Sequence, residues 1–355
     1  MPTGFLALCT KNLPDVAVTP SDHFNTVLYS GNGSARTISG VGFQPDWNWT
    51  KPTNNSGSHV LTDAVRGNTK FLESNSTGAE QTTSSGITAF NSDGYTLGTG
   101  NDWNVNSDTF VSWNWKANGS GSSNTNGSIT STVSANVDAG FSIVTYTGNA
   151  TEGATVGHGL SKAPEVMLVK KRSGAAGWYM YHKDLGPTKN IELQVTSAAS
   201  TTSNIWNDTA PTSSVFSLGN NAAINGTGAT FVAYCFHSVD GYSKIGSYSG
   251  NGSTDGTFIY TGFRPAYVQW KKSSDSGTIW QIFGYAGQAG STAQSNPLDR
   301  YVSANSGGSE GDYDFVDFLS NGFKLRHNSG HANTDSQTYI YIAFAETPLK
   351  NSNAR

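Results

Sequence analysis

Tyr29-Ser30-Gly31-Asn32-Gly33-Ser34, Tyr146-Thr147-Gly148-Asn149-Ala150-Thr151 and Tyr248-Ser249-Gly250-Asn251-Gly252-Ser253 are one turn written three times, with the glycines at 31, 148 and 250 spaced 117 and 102 residues apart. The residues after each turn repeat as well. Gly42, Phe43 and Pro45 match Gly159, Leu160 and Pro164, and then Gly262, Phe263 and Pro265. An apolar run ending in lysine comes next, over 46–51, 165–171 and 266–272. Proline lacks an amide donor, so it suits the head of a strand. The units also close alike, on Phe110-Val111-Ser112-Trp113-Asn114-Trp115, Phe231-Val232-Ala233-Tyr234-Cys235-Phe236 and Tyr339-Ile340-Tyr341-Ile342-Ala343-Phe344. Aromatic and β-branched residues in such density predict buried strands.

The fold expected from this pattern is all-β, with three tandem β-sandwich, jelly-roll-like modules. Residues 1–25 form an N-terminal extension, 26–117 the first module, 139–237 the second, 238–348 the third and 349–355 a tail. Residues 118–138, rich in Gly, Ser and Asn, read as a flexible linker. Composition agrees: 157 of the 355 residues are Gly, Ser, Thr or Asn, and charged residues are only 13%. That excludes a mainly helical chain, and 12% aromatic residues with a net charge of −4 argue against disorder.

The same numbers exclude function classes. A nucleic-acid binder needs a basic footprint; here only Lys170-Lys171-Arg172 and Lys271-Lys272 offer one, and both read as solvated strand ends. No apolar run approaches the length of a membrane span, and Met1–Thr10 lacks the pattern of a signal peptide. Cys9 and Cys235 form neither a disulfide framework nor a metal motif. His327 and His331 have ligand-like spacing, but Asn-Ser-Gly between them is loop chemistry, and no glutamate follows His327 as in a metalloprotease. Asp312, Asp314 and Asp317 offer oxygens to calcium without the spacing of a calcium loop. No nucleophile elbow, phosphate loop or defined carboxylate pair emerges, so neither cofactor nor metal is expected. Two tryptophans stand apart from the strand-like runs: Trp103, beside Asn101, and Trp206, beside Asn207. An aromatic ring flanked by amides suits a sugar platform, a subunit contact or a lid on its own sheet.

Gly42-Phe43-Gln44-Pro45-Asp46-Trp47, 141–148 and Val156-Gly157-His158-Gly159-Leu160, with 115–119 and 2–10, resemble an uncharacterised repeat family of virion proteins and predicted tail fibres in marine tailed phages. The resemblance covers most of 1–237 and the third module more loosely. It implies a non-enzymatic virion surface protein, a fibre or capsid decoration made in the host cytoplasm, and brings no catalytic residues. Its partners would be itself, as a homo-oligomer with a trimer by analogy, other virion proteins and host surface glycans. Phe5, Leu6 and Leu8 are the anchor residues such a role suggests, lying outside the modules. A carbohydrate-binding module array and a glycan-cleaving enzyme are the rival readings.

Overall fold

The computed structural model describes residues 18–284 and 296–347. Among them, helix is limited to three single turns, α1 (Asn101–Asn104), α2 (Ser203–Trp206) and α3 (Ala222–Asn225), and a 3-10 turn at Pro20–Asp22. The protein is all-β, built from several antiparallel sheets. Phe5, Leu6 and Leu8 lie outside the described residues.

The first repeat contains β1 (Phe24–Ser30), β2 (Arg36–Ser39), β3 (Trp47–Pro52), β4 (Val60–Asp63), β5 (Lys70–Glu73), β6 (Gln81–Thr82), β7 (Ile87–Asn91), β8 (Gly94–Leu97) and β9 (Thr109–Trp115). They form a six-stranded sheet, β1-β9-β3-β4-β5-β6, and a small one, β2-β8-β7. The second repeat contains β10 (Ser122–Asn124), β11 (Ser131–Asn136), β12 (Phe141–Thr147), β13 (Ala154–Gly157), β14 (Val166–Lys171), β15 (Trp178–His182), β16 (Lys189–Glu192), β17 (Ser200–Thr201), β18 (Val215–Leu218) and β19 (Thr230–Phe236). Its large sheet runs β10-β11-β12-β19-β14-β15-β16-β17, and β13 pairs with β18. The third contains β20 (Ser243–Ser249), β21 (Phe258–Tyr260), β22 (Pro265–Lys272), β23 (Gln281–Gly284), β24 (Leu298–Ser303), β25 (Gly311–Leu319), β26 (Gly322–Leu325) and β27 (Thr338–Ala345). These eight join in the order β20-β27-β22-β23-β24-β25-β26-β21 and nearly close into a barrel.

The order β1-β9-β3-β4-β5 thus recurs as β12-β19-β14-β15-β16 and as β20-β27-β22-β23-β24. Every sheet stays within one repeat, yet the repeats are not strung out as a tandem array. Their large sheets are buried on both faces: every residue of β3 is buried, as is all but one residue of β9, β14, β19 and β22. One face covers the small-sheet strands of the same repeat, around Tyr95 and Phe110, Phe216 and Phe231, or Phe323 and Tyr339. The other face meets the remaining two repeats in one common cluster, which includes Trp47, Trp115, Phe141, Phe236, Tyr267 and Phe344. Trp47 stacks on Tyr234 at 4.3 Å, and Phe24 on Phe344 at 5.0 Å, so each pair joins two repeats. An aromatic-rich face left bare on three small modules is unfavourable, and three such faces turned together remove one another from water.

Residues 118–138 are not a free linker. β10 and β11 lie in this stretch and pair with one another, and β11 pairs with β12. Ile129, Ser131 and Val133 are buried on alternate positions, so a two-residue period holds the segment in the sheet despite its polar composition. The first repeat likewise starts before residue 26. Phe24 pairs with Trp115, and Val18 is buried in the common cluster.

Candidate functional site

The recurring tyrosine, glycine and asparagine form one internal latch, made three times. Tyr29 donates its hydroxyl to the Trp103 carbonyl (2.7 Å), Tyr146 to Ile224 (2.8 Å) and Tyr248 to Ala332 (2.9 Å). The next residue is an asparagine each time. The Oδ1 of Asn104, Asn225 and Asn333 accepts the backbone N–H of Asn32 (3.0 Å), Asn149 (3.0 Å) and Asn251 (2.9 Å). At Gly31 and Gly250 a Cβ would collide with the carbonyl of Val105 or Thr334, so these two positions exclude any side chain. The three latching asparagines escaped the sequence reading. Their signal was present: each stands five residues before its closing strand.

The seams between repeats form a closed cycle of equivalent bonds. Ala176 N–H donates to Thr77 (3.0 Å), Gly277 to Thr196 (2.9 Å) and Gly57 to Gly307 (2.8 Å). In return Glu80 N–H donates to Arg172 (2.9 Å), Ala199 to Ser273 (3.0 Å) and Glu310 to Thr53 (2.8 Å). Second grips first, third grips second and first grips third, which is cyclic pseudo-threefold order. Between these bonds sits one ring per seam. Trp178 donates Nε1–H to Glu73 O (2.8 Å) and Trp280 to Glu192 O (3.0 Å). At the third seam the ring is His59. Its Nδ1 accepts from Trp49 (2.9 Å), so Nε2 carries the proton; it is buried and makes no hydrogen bond, unlike the two tryptophans. Burial holds His59 neutral, well below the usual histidine range.

One lysine per repeat stands beside each ring: Lys51, Lys170 and Lys271, each fully buried. Lys170 and Lys271 were expected as solvated strand ends, and the inter-repeat packing that covers them is the reason they are not. Their ammonium groups are capped by carbonyls: Lys51 by Pro52 (2.5 Å), Lys170 by Thr77 (2.9 Å) and Ala176 (2.6 Å), Lys271 by Thr278 (2.5 Å). Burial is the main cause that lowers all three to about 8. The first seam has an extra lock. Buried Arg66 holds Asp63 (2.5 Å), Glu80 (3.2 Å) and the Tyr234 hydroxyl (3.1 Å), and Arg172 holds Glu80 from outside (2.8 Å). Desolvation opposes the Arg66 charge, but the carboxylates of Asp63 and Glu80 outweigh it and raise Arg66.

On the axis itself a void of about 30 Å³ remains, lined by Trp47, Trp49, Leu168, Phe236, Tyr267 and neighbours from all three repeats. Its wall is apolar but for Gln269, and it is far smaller than the pockets that hold organic ligands.

The expected ligand platforms are not platforms. Trp103 is buried in α1, edge-on to Phe71 at 5.0 Å, and Trp206 is buried in α2, edge-on to Tyr181 at 6.1 Å. Their polar neighbours lie at helix-turn ends: Asn101 opens α1 and stays exposed, and Asn207 closes α2 in the left-handed region at φ 54°. The acidic run is dispersed into ion pairs, Asp312 with Arg300 (3.2 Å) and Asp317 with Arg326 (2.5 Å). His327 packs against Phe315 and accepts from Ser329 N–H at 2.9 Å. No group of three His, Cys, Asp or Glu side chains among the described residues could hold a metal.

No curated protein matches the chain. One family model does, described as a domain of unknown function, DUF7483, and it matches residues 19–348 as a single span. That span takes in all three repeats and the seams that close them, and the chain belongs to the DUF7483 family.

Proposed function

We propose that this chain is a non-enzymatic structural protein of a phage virion surface, a fibre or capsid decoration, serving assembly and adhesion. One observation carries the structural half: the three repeats are sealed around one aromatic axis by a closed cycle of equivalent bonds. Such a block resists deformation, because no repeat can move without breaking two seams and the shared core. The buried lysines, the latches and the arginine lock all spend their polar groups internally, which suits a scaffold. The virion setting comes from the resemblance of 42–47, 141–148 and 156–160 to phage virion repeats. The fibre analogy suggests a homotrimer. Here a threefold element already lies within one chain, so we take a single chain as the assembling unit, seated on other virion proteins. Immunogold labelling of assembled particles with antibody to this chain tests the reading. Gold on the particle surface supports it. Label confined to soluble lysate, or release of reducing sugar from host polysaccharide by the pure protein, overturns it.

A further inference from the structure

The exposed aromatic side chains among the described residues all belong to the third repeat: Phe258 at 42%, Tyr260 at 65% and Tyr313 at 59%. Phe258 and Tyr260 flank buried Ile259 on β21, so both point outward. Strand pairing puts Phe258 opposite Lys324, and Lys324 opposite Asp317, in one row across three strands. Tyr260 lies opposite Gly322, which has no side chain to stand beside the ring.

The other repeats show that the fold does not need these rings. The position of Phe258 is Thr37 in the first repeat and Thr155 in the second; that of Tyr260 is Ser39 and Gly157. In the first repeat the face is exposed and hydroxylated. In the second it is partly covered, because Asn124 lies over Gly157 and Ser128 bonds half-buried Thr155. Only the third repeat combines exposure with aromatic rings.

The charges beside the rings are already balanced. Lys324 pairs with Asp255 (2.8 Å), and Arg326 pairs with Asp317 (2.5 Å) and more loosely with Asp255 (3.8 Å). Two acids and two bases leave no net charge for an ionic ligand, and nucleic acid would require a basic surface. Two aromatic side chains would supply about 300–500 Å² if fully exposed; at 42% and 65% exposure they offer roughly half of that, well short of the roughly 800 Å² per partner of a stable protein interface. Flat rings beside fixed, paired polar groups instead match a ligand with one apolar face and a rim of hydroxyls.

We propose that the outer face of β21 and β26 binds a neutral saccharide. Tyr260 and Phe258 stack on the sugar ring, and Lys324, Arg326 and Asp255 bond its hydroxyls. This gives the adhesion half of the proposed function its site and ligand class, and rests on that reading. The test is an array of neutral hexose and N-acetylhexosamine oligosaccharides, printed beside their sialylated and sulfated forms and probed with the full chain. Wild type is expected on neutral spots. Tyr260→Ala and Phe258→Ala should each weaken binding at least about tenfold, as loss of one central contact does. Tyr260→Phe and the first-repeat control Thr37→Ala should retain it, with melting temperatures unchanged throughout. No binding to any neutral glycan, binding to acidic glycans alone, or undiminished binding by the double alanine variant overturns the proposal. Surface gold on particles without sugar binding removes this site and leaves the virion role standing; sugar binding without surface gold does the reverse.

Discussion

Replacing Trp47 by alanine separates a fused three-repeat core from three independent modules. Trp47 is 2% exposed and touches Trp115 of its own repeat at 4.4 Å. It also touches Tyr234 (4.3 Å), Phe141 (5.7 Å) and Phe236 (5.9 Å) of the second repeat. A buried Trp→Ala change costs about 3–5 kcal/mol, from lost transfer energy and the cavity left behind. What that does to melting depends on the size of the unit that unfolds. Unfolding entropy of about 2.1 cal/mol/K per residue gives about 0.75 kcal/mol/K for the whole chain, and about 0.2 for one repeat of roughly 100 residues. A loss of about 4 kcal/mol then lowers a single whole-chain transition by about 5 °C, or a single-repeat transition by about 20 °C. Scanning calorimetry distinguishes these outcomes, and one transition shifted by the smaller amount is expected. A scan in which about two-thirds of the enthalpy stays at the wild-type temperature would refute the shared core.

The seams and latches give three further outcomes. Arg66→Ala should cost about 3–5 kcal/mol in urea unfolding, because Asp63 is left buried and unpaired. Arg172→Ala, whose side chain is 20% exposed, should cost about 1 kcal/mol or less. Stability should rise as pH goes from 8 towards 10. Below 8 the three lysines are charged in both states and the burial penalty is complete; above it the folded lysines lose protons that the unfolded chain keeps until about 10.5. The raised hydroxyls of buried Tyr146, Tyr248 and Tyr267 reverse the trend past pH 10, and a Lys170→Met/Lys271→Met variant should flatten the rise. Asn104→Ala, Asn225→Ala and Asn333→Ala should each lose about 1–3 kcal/mol by stranding backbone groups, whereas exposed Asn101→Ala should stay within about 0.5 kcal/mol.

The repeat was legible because its marks are local. A tyrosine, a glycine pressed on a carbonyl and a Pro-headed strand obey the same short-range rules in each copy, whatever surrounds them. The alternation of Trp47 with Trp49 and of Trp113 with Trp115 likewise announced strands with a heavily apolar face. Which surface that face would meet was not legible. An inward tryptophan has the same spacing whether it packs on its own second sheet or on a neighbouring repeat. Trp103 and Trp206 misled for a related reason, since amide and acidic residues serve helix-turn ends as well as they serve sugars. The Gly/Ser/Asn run from 118 to 138 misled through composition, which outweighed the quieter alternation of Ile129, Ser131 and Val133. The exposed pair Phe258 and Tyr260 is visible only once the register aligns it with Thr37, Ser39, Thr155 and Gly157.

The closed cycle of seams also bears on how such a chain can evolve. In an open solenoid each unit contacts only its neighbours, so units can be gained or lost, provided the outermost ones carry polar caps. A ring has no outermost unit and so needs no caps. Its copy number is fixed by the geometry of its centre. Three sheets meet here with a gap of only about 30 Å³ among their side chains; a fourth would force them apart and open a channel, while two would leave a tryptophan-lined face in water. Divergence is therefore channelled away from the number of copies and into the differences between them. Within that constraint, one copy carries an arginine lock, another the added strands β10 and β11, and the third a pair of bare aromatic rings.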